Sequence, residues 1–186
     1  NAIKYLGFDV SITSNYKKIN KSEIIILPGV GSYPKAMERL KKFGMNDSIL
    51  DFVNSGKKIF GICLGMQLLF NSSEEYSKTK GLGLINGEIK SIKKSNPKAS
   101  VPHVGWNNIN IKKRVNSEIM SFQNKNFYFV HSFYPNIKSN KYNLFYTNYD
   151  GLTFPSMIVK NNIIACQFHP EKSGINGLKL LKYFLK

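Results

Sequence analysis

The sequence predicts an α/β fold: a doubly wound, mostly parallel sheet with flanking helices, plus an antiparallel β-rich portion. Three observations carry this. The first third alternates apolar strand-like runs with helical stretches. In the middle, a buried strand runs through Gly61-Ile62-Cys63-Leu64-Gly65 straight into a helix. After Asn71 the pattern changes to short strands and turns. The length of 186 residues and a 42% hydrophobic content suit one globular unit spanning 1–186.

Taken in order, residues 1–6 read as the end of a helix stopped by Gly7, and Phe8 to Thr13 as a strand. Glu23 to Leu27 is a continuous apolar run, typical of a buried parallel strand, and it ends in Pro28-Gly29-Val30-Gly31-Ser32. Helices follow at Pro34 to Lys42 and at Asn46 to Ser55, the second opened by Asn46 or Asp47 and stopped by Gly56. The strand over Lys58 to Ile62 leads into a helix whose apolar face is Leu64, Met66, Leu68, Leu69 and Phe70. Ser72 to Lys80 reads as a polar loop. Strands are expected at 88–93, 107–112, 126–132 and 142–148, then a hairpin of 156–160 and 163–168 around Asn161-Asn162. A closing helix runs from Ile175 to Leu185, with Leu178, Leu181 and Leu185 on one face. The chain begins at Asn1 without a methionine, inside a helix. A doubly wound sheet starts on a strand, so we expect a fragment lacking roughly 15 residues of first strand and early helix.

The net charge is +16, from 27 basic and 11 acidic residues. The lysines are scattered, and arginine occurs only at Arg39 and Arg114. No nucleic-acid motif accompanies them, so the charge reads as solvated surface and not as a nucleic-acid footprint. A basic patch facing an acidic protein or a phosphorylated substrate stays open. No apolar run reaches membrane-spanning length, and no signal peptide is visible. The two cysteines, Cys63 and Cys166, form no metal pattern. They imply a reducing, cytoplasmic setting, with a disulfide between them as the alternative.

The strand–turn–helix around Cys63 has the form of a nucleophile elbow. Glycines on both sides let strand and helix approach, and the tip residue is strained and exposed. The following helix points its N-terminal amides at the sulfur, favouring negative charge there. A structural cysteine in a glycine-rich turn is the other reading. In Gln167-Phe168-His169-Pro170-Glu171, the proline extends its neighbour, so His169 and Glu171 point the same way. Glu171 would fix the imidazole tautomer, leaving the other nitrogen to take a proton from Cys63. Alone, such a pair is a common surface contact. An acyl-transferring cysteine also needs oxyanion donors. The elbow offers the Leu64 N–H, and the loop after Leu27 offers that of Val30, flanked by Gly29 and Gly31. That loop is equally an ordinary βα turn, and its peptide could turn away.

Together these residues resemble the class I (triad) glutamine amidotransferases, and in particular their imidazole glycerol phosphate synthase branch. Leu-Pro-Gly-Val-Gly-Ser-Tyr at 27–33, Gly-Ile-Cys-Leu-Gly-Met-Gln at 61–67 and Gly-Leu-Gly-Leu-Ile at 81–85 match its motifs. Pro-His-Val-Gly-Trp-Asn at 102–107, Tyr-Phe-Val-His-Ser-Phe-Tyr at 128–134 and Gln-Phe-His-Pro-Glu-Lys-Ser at 167–173 follow in family order. The resemblance implies a flavodoxin-like amidotransferase domain over 1–186 that hydrolyses L-glutamine through a Cys63 thioester, with His169 as acid and base and Glu171 behind it. It implies oxyanion donors at Val30 and Leu64, and a glutamine pocket from Gly29, Gly31, Gln67, His131, Ser132 and Phe133. Pro102, His103, Val104, Gly105, Trp106, Asn107 and Lys172 would meet a (β/α)8 synthase subunit as a heterodimer, which receives the ammonia. No metal, cofactor, nucleic acid or membrane is implied. Taken singly, His103, Trp106 and His131 are ordinary loop and strand-end residues. Asn86 stands where the family commonly has proline, and the family's N-terminal Asp-Tyr-Gly segment is absent. The charge leaves room for a paralogue that supplies ammonia to amidate a surface-glycan sugar. A Cys–His–Glu peptidase of the same fold and a silent scaffold are the rival classes.

Overall fold

The computed structural model describes residues 1–111, 117–137 and 142–186. Lys112, the last residue of the expected strand at 107–112, and Arg114 lie outside them. A short helix α1 (Ala2–Tyr5) precedes α2 (Tyr16–Lys21) and β1 (Ile24–Leu27). Then come α3 (Tyr33–Lys42), α4 (Met45–Asn54), β2 (Lys58–Ile62) and α5 (Leu64–Leu68). The chain continues through β3 (Phe70–Ser73), β4 (Thr79–Lys80), β5 (Ile85–Ser91), α6 (Ile92–Ser95) and β6 (His103–Ile111). It ends with α7 (Ser117–Met120), β7 (Lys125–His131), β8 (Phe133–Asn136), β9 (Asn143–Tyr149), β10 (Leu152–Lys160), β11 (Ile163–Cys166), a 3-10 turn at Pro170–Lys172 and α8 (Gly174–Leu185).

A seven-stranded sheet, in the order β1-β2-β11-β10-β9-β6-β7, forms the centre. The α/β class with flanking helices and an antiparallel portion is what the sequence predicts, but the sheet is mixed, not mostly parallel. Only β1, β2 and β11 run parallel; the pairs from β11 to β7 are antiparallel. The physical reason is connection length. Parallel strands need long crossovers, which α3, α4 and the excursion after β2 supply, whereas β10 and β11 are joined by two residues. The turn is Asn161-Asn162, with Asn161 at φ 50°, as the tight hairpin requires. A smaller sheet, β4-β3-β5-β8, covers the end beyond α5.

Alternation along the strands feeds two cores. On β2, Ile59 packs with Ile49, Phe52 and Val53 of α4 and Leu68 of α5. Its neighbour Phe60 faces the other way, against Leu180, Leu181 and Phe184 of α8. The buried stripe of α8 is therefore Gly177, Leu180, Leu181 and Phe184, shifted from the expected Leu178–Leu181–Leu185 face.

Several local expectations change. Residues 8–13 form no strand; Val10 and Ile12 are exposed and no neighbouring strand offers them ladder bonds among the described residues. β1 is an edge strand with every residue half-buried, not a central one. The polar stretch 72–80 holds the end of β3 and all of β4, because Ser72 and Ser73 turn inward to pair with β5 and β4. The second helix after β1 is capped by Gly44 at φ 62°, ahead of Asn46 and Asp47.

Candidate active site

Cys63 sits between β2 and α5 with φ 53° and ψ −113°, a positive-φ conformation that costs a non-glycine residue of order 1–3 kcal/mol. Its N–H donates to the Cys166 carbonyl at 2.8 Å, tying the tip of the turn to the end of β11. The strain expected at the elbow is thus present, but the expected exposure is not: Cys63 is buried, because the chain segments at Val130 and Gln167 pack over the sulfur. The loop after β1 lies against it: a Cβ added at Gly29 would stand 2.9 Å from the Leu64 Cβ. At Gly65 a Cβ would overlap the Leu27 carbonyl oxygen, so only glycine lets α5 start against the end of β1. Leu64 opens α5, and Val30, next to Gly29 in the loop, is 86% exposed.

His169 is held from three sides. Its N–H donates to Tyr128 O at 2.8 Å, its carbonyl accepts from Ser173 Oγ at 2.6 Å, and its Nδ1 bonds Glu171 Oε1 at 2.7 Å. Ser173 Oγ also accepts the Tyr128 N–H at 2.9 Å, so β7 and the 3-10 turn are stapled at one hydroxyl. A Cβ at Gly177 would overlap the Pro170 carbonyl oxygen, which seats α8 directly under this turn. His169 Nε2 is buried and makes no hydrogen bond.

The electrostatics follow from these contacts. The Cys63 sulfur first, and then the Glu171 carboxylate, push the His169 pKa up to about 9 against the opposing effect of burial. Cys63 is near enough to Nε2 to act on the ring although the contact falls short of hydrogen-bond geometry, and Sγ lies 4.0 Å from Val130 O. Burial alone would raise the Glu171 carboxyl, but the His169 hydrogen bond, a backbone N–H and the charges of His169 and Lys172 hold it below its usual value.

Gln67 and residues 131–133, expected from the sequence to bind glutamine, are brought together by hydrogen bonds. Gln67 Nε2 donates to Phe133 O at 3.2 Å and to Gln167 Oε1 at 2.9 Å. His131 Nδ1 donates to the same Phe133 carbonyl at 2.8 Å, and its Nε2 lies 3.0 Å from His103 Nδ1. A carbonyl only accepts, so His131 carries its proton on Nδ1 and His103 donates to Nε2. Burial pushes both rings toward neutrality, His103 to about 4 and His131 to about 3.

The set expected to face a partner divides. Val104 and Trp106 are exposed at 54% and 58%, Pro102 is exposed beside them, and Lys172 Nζ lies 5.9 Å over the Tyr128 ring, itself in edge contact with Trp106. Gly105 is half-buried, and Asn107, on its side of the strand, donates to Asn148 O at 2.9 Å. His103 is the correction. Its ring is 2% exposed, stacked on Tyr149 and Phe129, and unavailable to a partner. Strand alternation puts it opposite Val104 and Trp106. Alternation also exposes an omission: Gln167, two residues before His169, points into the site and reaches Cys63 Sγ at 3.8 Å. Both cysteines are free, so the disulfide alternative falls.

This arrangement of strand-end elbow, His–Glu pair and glycine loop belongs to a known class. The sequence profile described as glutamine amidotransferase class-I matches residues 1–186, and the chain belongs to that family. A solved structure titled as a glutamine amidotransferase matches with a TM-score of 0.76 at 17% identity, over 99% of this chain and 88% of that one, a likeness of fold. Among curated relatives, the imidazole glycerol phosphate synthase subunit HisH of Caldanaerobacter subterraneus subsp. tengcongensis is 46% identical over 98% of this chain and 88% of its own. The subunit of the same name from Lactococcus lactis subsp. lactis is 42% identical, over 97% and 88%. No helix among the described residues is long and apolar enough to cross a membrane.

Proposed function

We propose that this chain is the glutaminase subunit of an imidazole glycerol phosphate synthase, acting in histidine biosynthesis. One amidotransferase unit over 1–186 hydrolyses glutamine and passes ammonia to a (β/α)8 synthase subunit that makes imidazole glycerol phosphate and AICAR. The relatives' shared name at 42–46% identity supports this branch, and gives no support to the sugar-amidating alternative. The observation that carries the chemistry is His169 Nε2, buried and unpartnered beside Cys63 while Nδ1 is held by Glu171.

With the pair's proton on His169 Nε2, as the raised pKa of that ring favours, Cys63 Sγ attacks the glutamine side-chain carbonyl carbon. The oxyanion meets the N–H groups of Leu64 and Val30. The C–N bond breaks as His169 returns the proton to the leaving nitrogen, and ammonia departs. His169 then deprotonates water, which attacks the thioester; the C–S bond breaks and the proton returns to sulfur. Gln67 and the 131–133 segment hold the substrate, with Gly29 and Gly31 shaping its far wall. Pro102, Val104, Trp106 and Lys172 form the docking face. No metal or cofactor enters the scheme. Two free cysteines suit a cytoplasmic setting.

Glutamine hydrolysis measured with and without the synthase subunit tests the reading. We expect slow release alone, much faster release with partner, and none from Cys63→Ala. Peptide cleavage without glutamine turnover would overturn it.

A further inference from the structure

A run of buried polar side chains joins the edge of the site to the sulfur. His103 donates to His131, His131 to the Phe133 carbonyl, Gln67 to that same carbonyl and to Gln167 Oε1, and Gln167 Nε2 to Cys63 Sγ. Gln167 is fully buried and Gln67 is 5% exposed. Neither amide sits on the docking face, and the thioester scheme uses Gln167 for nothing.

We propose that Gln167 is a positioning residue for the nucleophile: its side-chain N–H holds the Cys63 sulfur, and Gln67 fixes the direction of that amide. The proposal rests on the reading of Cys63 given above. Its logic is directional. Both Gln67 N–H groups are engaged, one at Phe133 O and one at Gln167 Oε1. With Oε1 occupied as acceptor, Gln167 must turn Nε2 to the sulfur, and its main-chain N–H, bound to Ser156 O at 2.9 Å, anchors the residue. In the thiol form, the sulfur can donate only toward Val130 O, 4.0 Å away, while Gln167 donates to the sulfur at 3.8 Å. When the proton passes to His169 Nε2, the Val130 contact loses its hydrogen and the Gln167 contact remains. A donor that survives proton loss, in a site of low dielectric, favours the anionic sulfur over the thiol. The Gln67 oxygen, which accepts none of these bonds, is the group left to meet substrate.

Iodoacetamide tests this without glutamine: the sulfur forms a bond to the acetamide carbon, iodide leaves, and mass spectrometry separates Cys63 from Cys166. In Gln167→Met, which keeps the bulk and loses the donor, alkylation of Cys63 at pH 7.5 slows about tenfold, equivalent to one pH unit, and recovers above pH 9. Glutamine turnover with the synthase subunit loses about tenfold in kcat with KM within threefold, whereas Gln67→Met raises KM. Gln167→Glu, which keeps the size and the acceptor for Gln67, slows alkylation at least as much, and stands in should the methionine variant fail to fold. Wild-type alkylation at all pH values in either variant overturns the proposal. So does a rise in KM with kcat unchanged, which would assign Gln167 to the glutamine pocket alone. Turnover surviving in Cys63→Ala would instead overturn the function above, leaving the alkylation comparison to judge the sulfur contact.

Discussion

Two buried histidines, His131 at the end of β7 and His169 just beyond β11, are tuned in opposite directions. His169 is buried against a carboxylate and a sulfur, which together hold it protonated up to about pH 9. His131 is buried against another histidine and a carbonyl, with no carboxylate to offset its loss of water, and stays neutral down to about pH 3. Burial is common to both; the partner decides the sign. A ring that must carry a proton in mid-reaction is given an anion, and a ring that must hold a carbonyl in place is denied one.

The contrast breaks most sharply at His169. His169→Asn keeps a polar group but no base, and should lower glutamine turnover by about 10³-fold in the assembled synthase, with folding unchanged by circular dichroism. The opposite ring pair is tested by acid. A histidine whose folded pKa is depressed contributes stability that is present above its unfolded value of 6.5 and lost as pH falls toward about 4 and 3. Urea melts at pH 7 and pH 5 should differ by on the order of 2–3 kcal/mol, and His103→Phe should shrink that difference. The His169 contribution runs the other way: it is present below pH 6.5 and fades as pH climbs toward about 9, so stability declines on both flanks. Next in size, Glu171→Gln removes the anion and keeps the hydrogen-bonding shape. Turnover should fall about tenfold to thirtyfold, and the pH at which His169 loses its proton should move down from about 9. Smallest is Ser173→Ala, which removes one hydroxyl from two backbone partners. It should cost about 1–2 kcal/mol in denaturant unfolding, with turnover less affected than by Glu171→Gln.

The sequence makes the chemistry more legible than the architecture. Cys63, His169 and Glu171 can be read because each obeys a short-range rule: glycines around a sharp turn, and a proline that extends its neighbour. The sheet's mixed direction cannot be read that way. Strand order depends on which connections are long enough to cross over, and the run Ile24–Leu27 looks the same at an edge as at a centre. The strands around Ser72 and Thr79 escaped because serine and lysine carry little strand signal; tertiary pairing supplies what propensity lacks. His103 and Gln167 are different. Both follow from period-two alternation, and reading the motif at 102–107 as one face put His103 on the wrong side.

The two glycine contacts described above bear on how mutational data for such a protein would be interpreted. Gly65 holds the start of α5 on the end of β1, and Gly177 holds α8 on the turn that carries Glu171. In a saturation library scored by growth, both positions should tolerate nothing, and would rank beside Cys63 and His169 although neither has a side chain to react. Scoring the same library for soluble abundance would split the group: chemical residues would vanish from it and steric ones would stay.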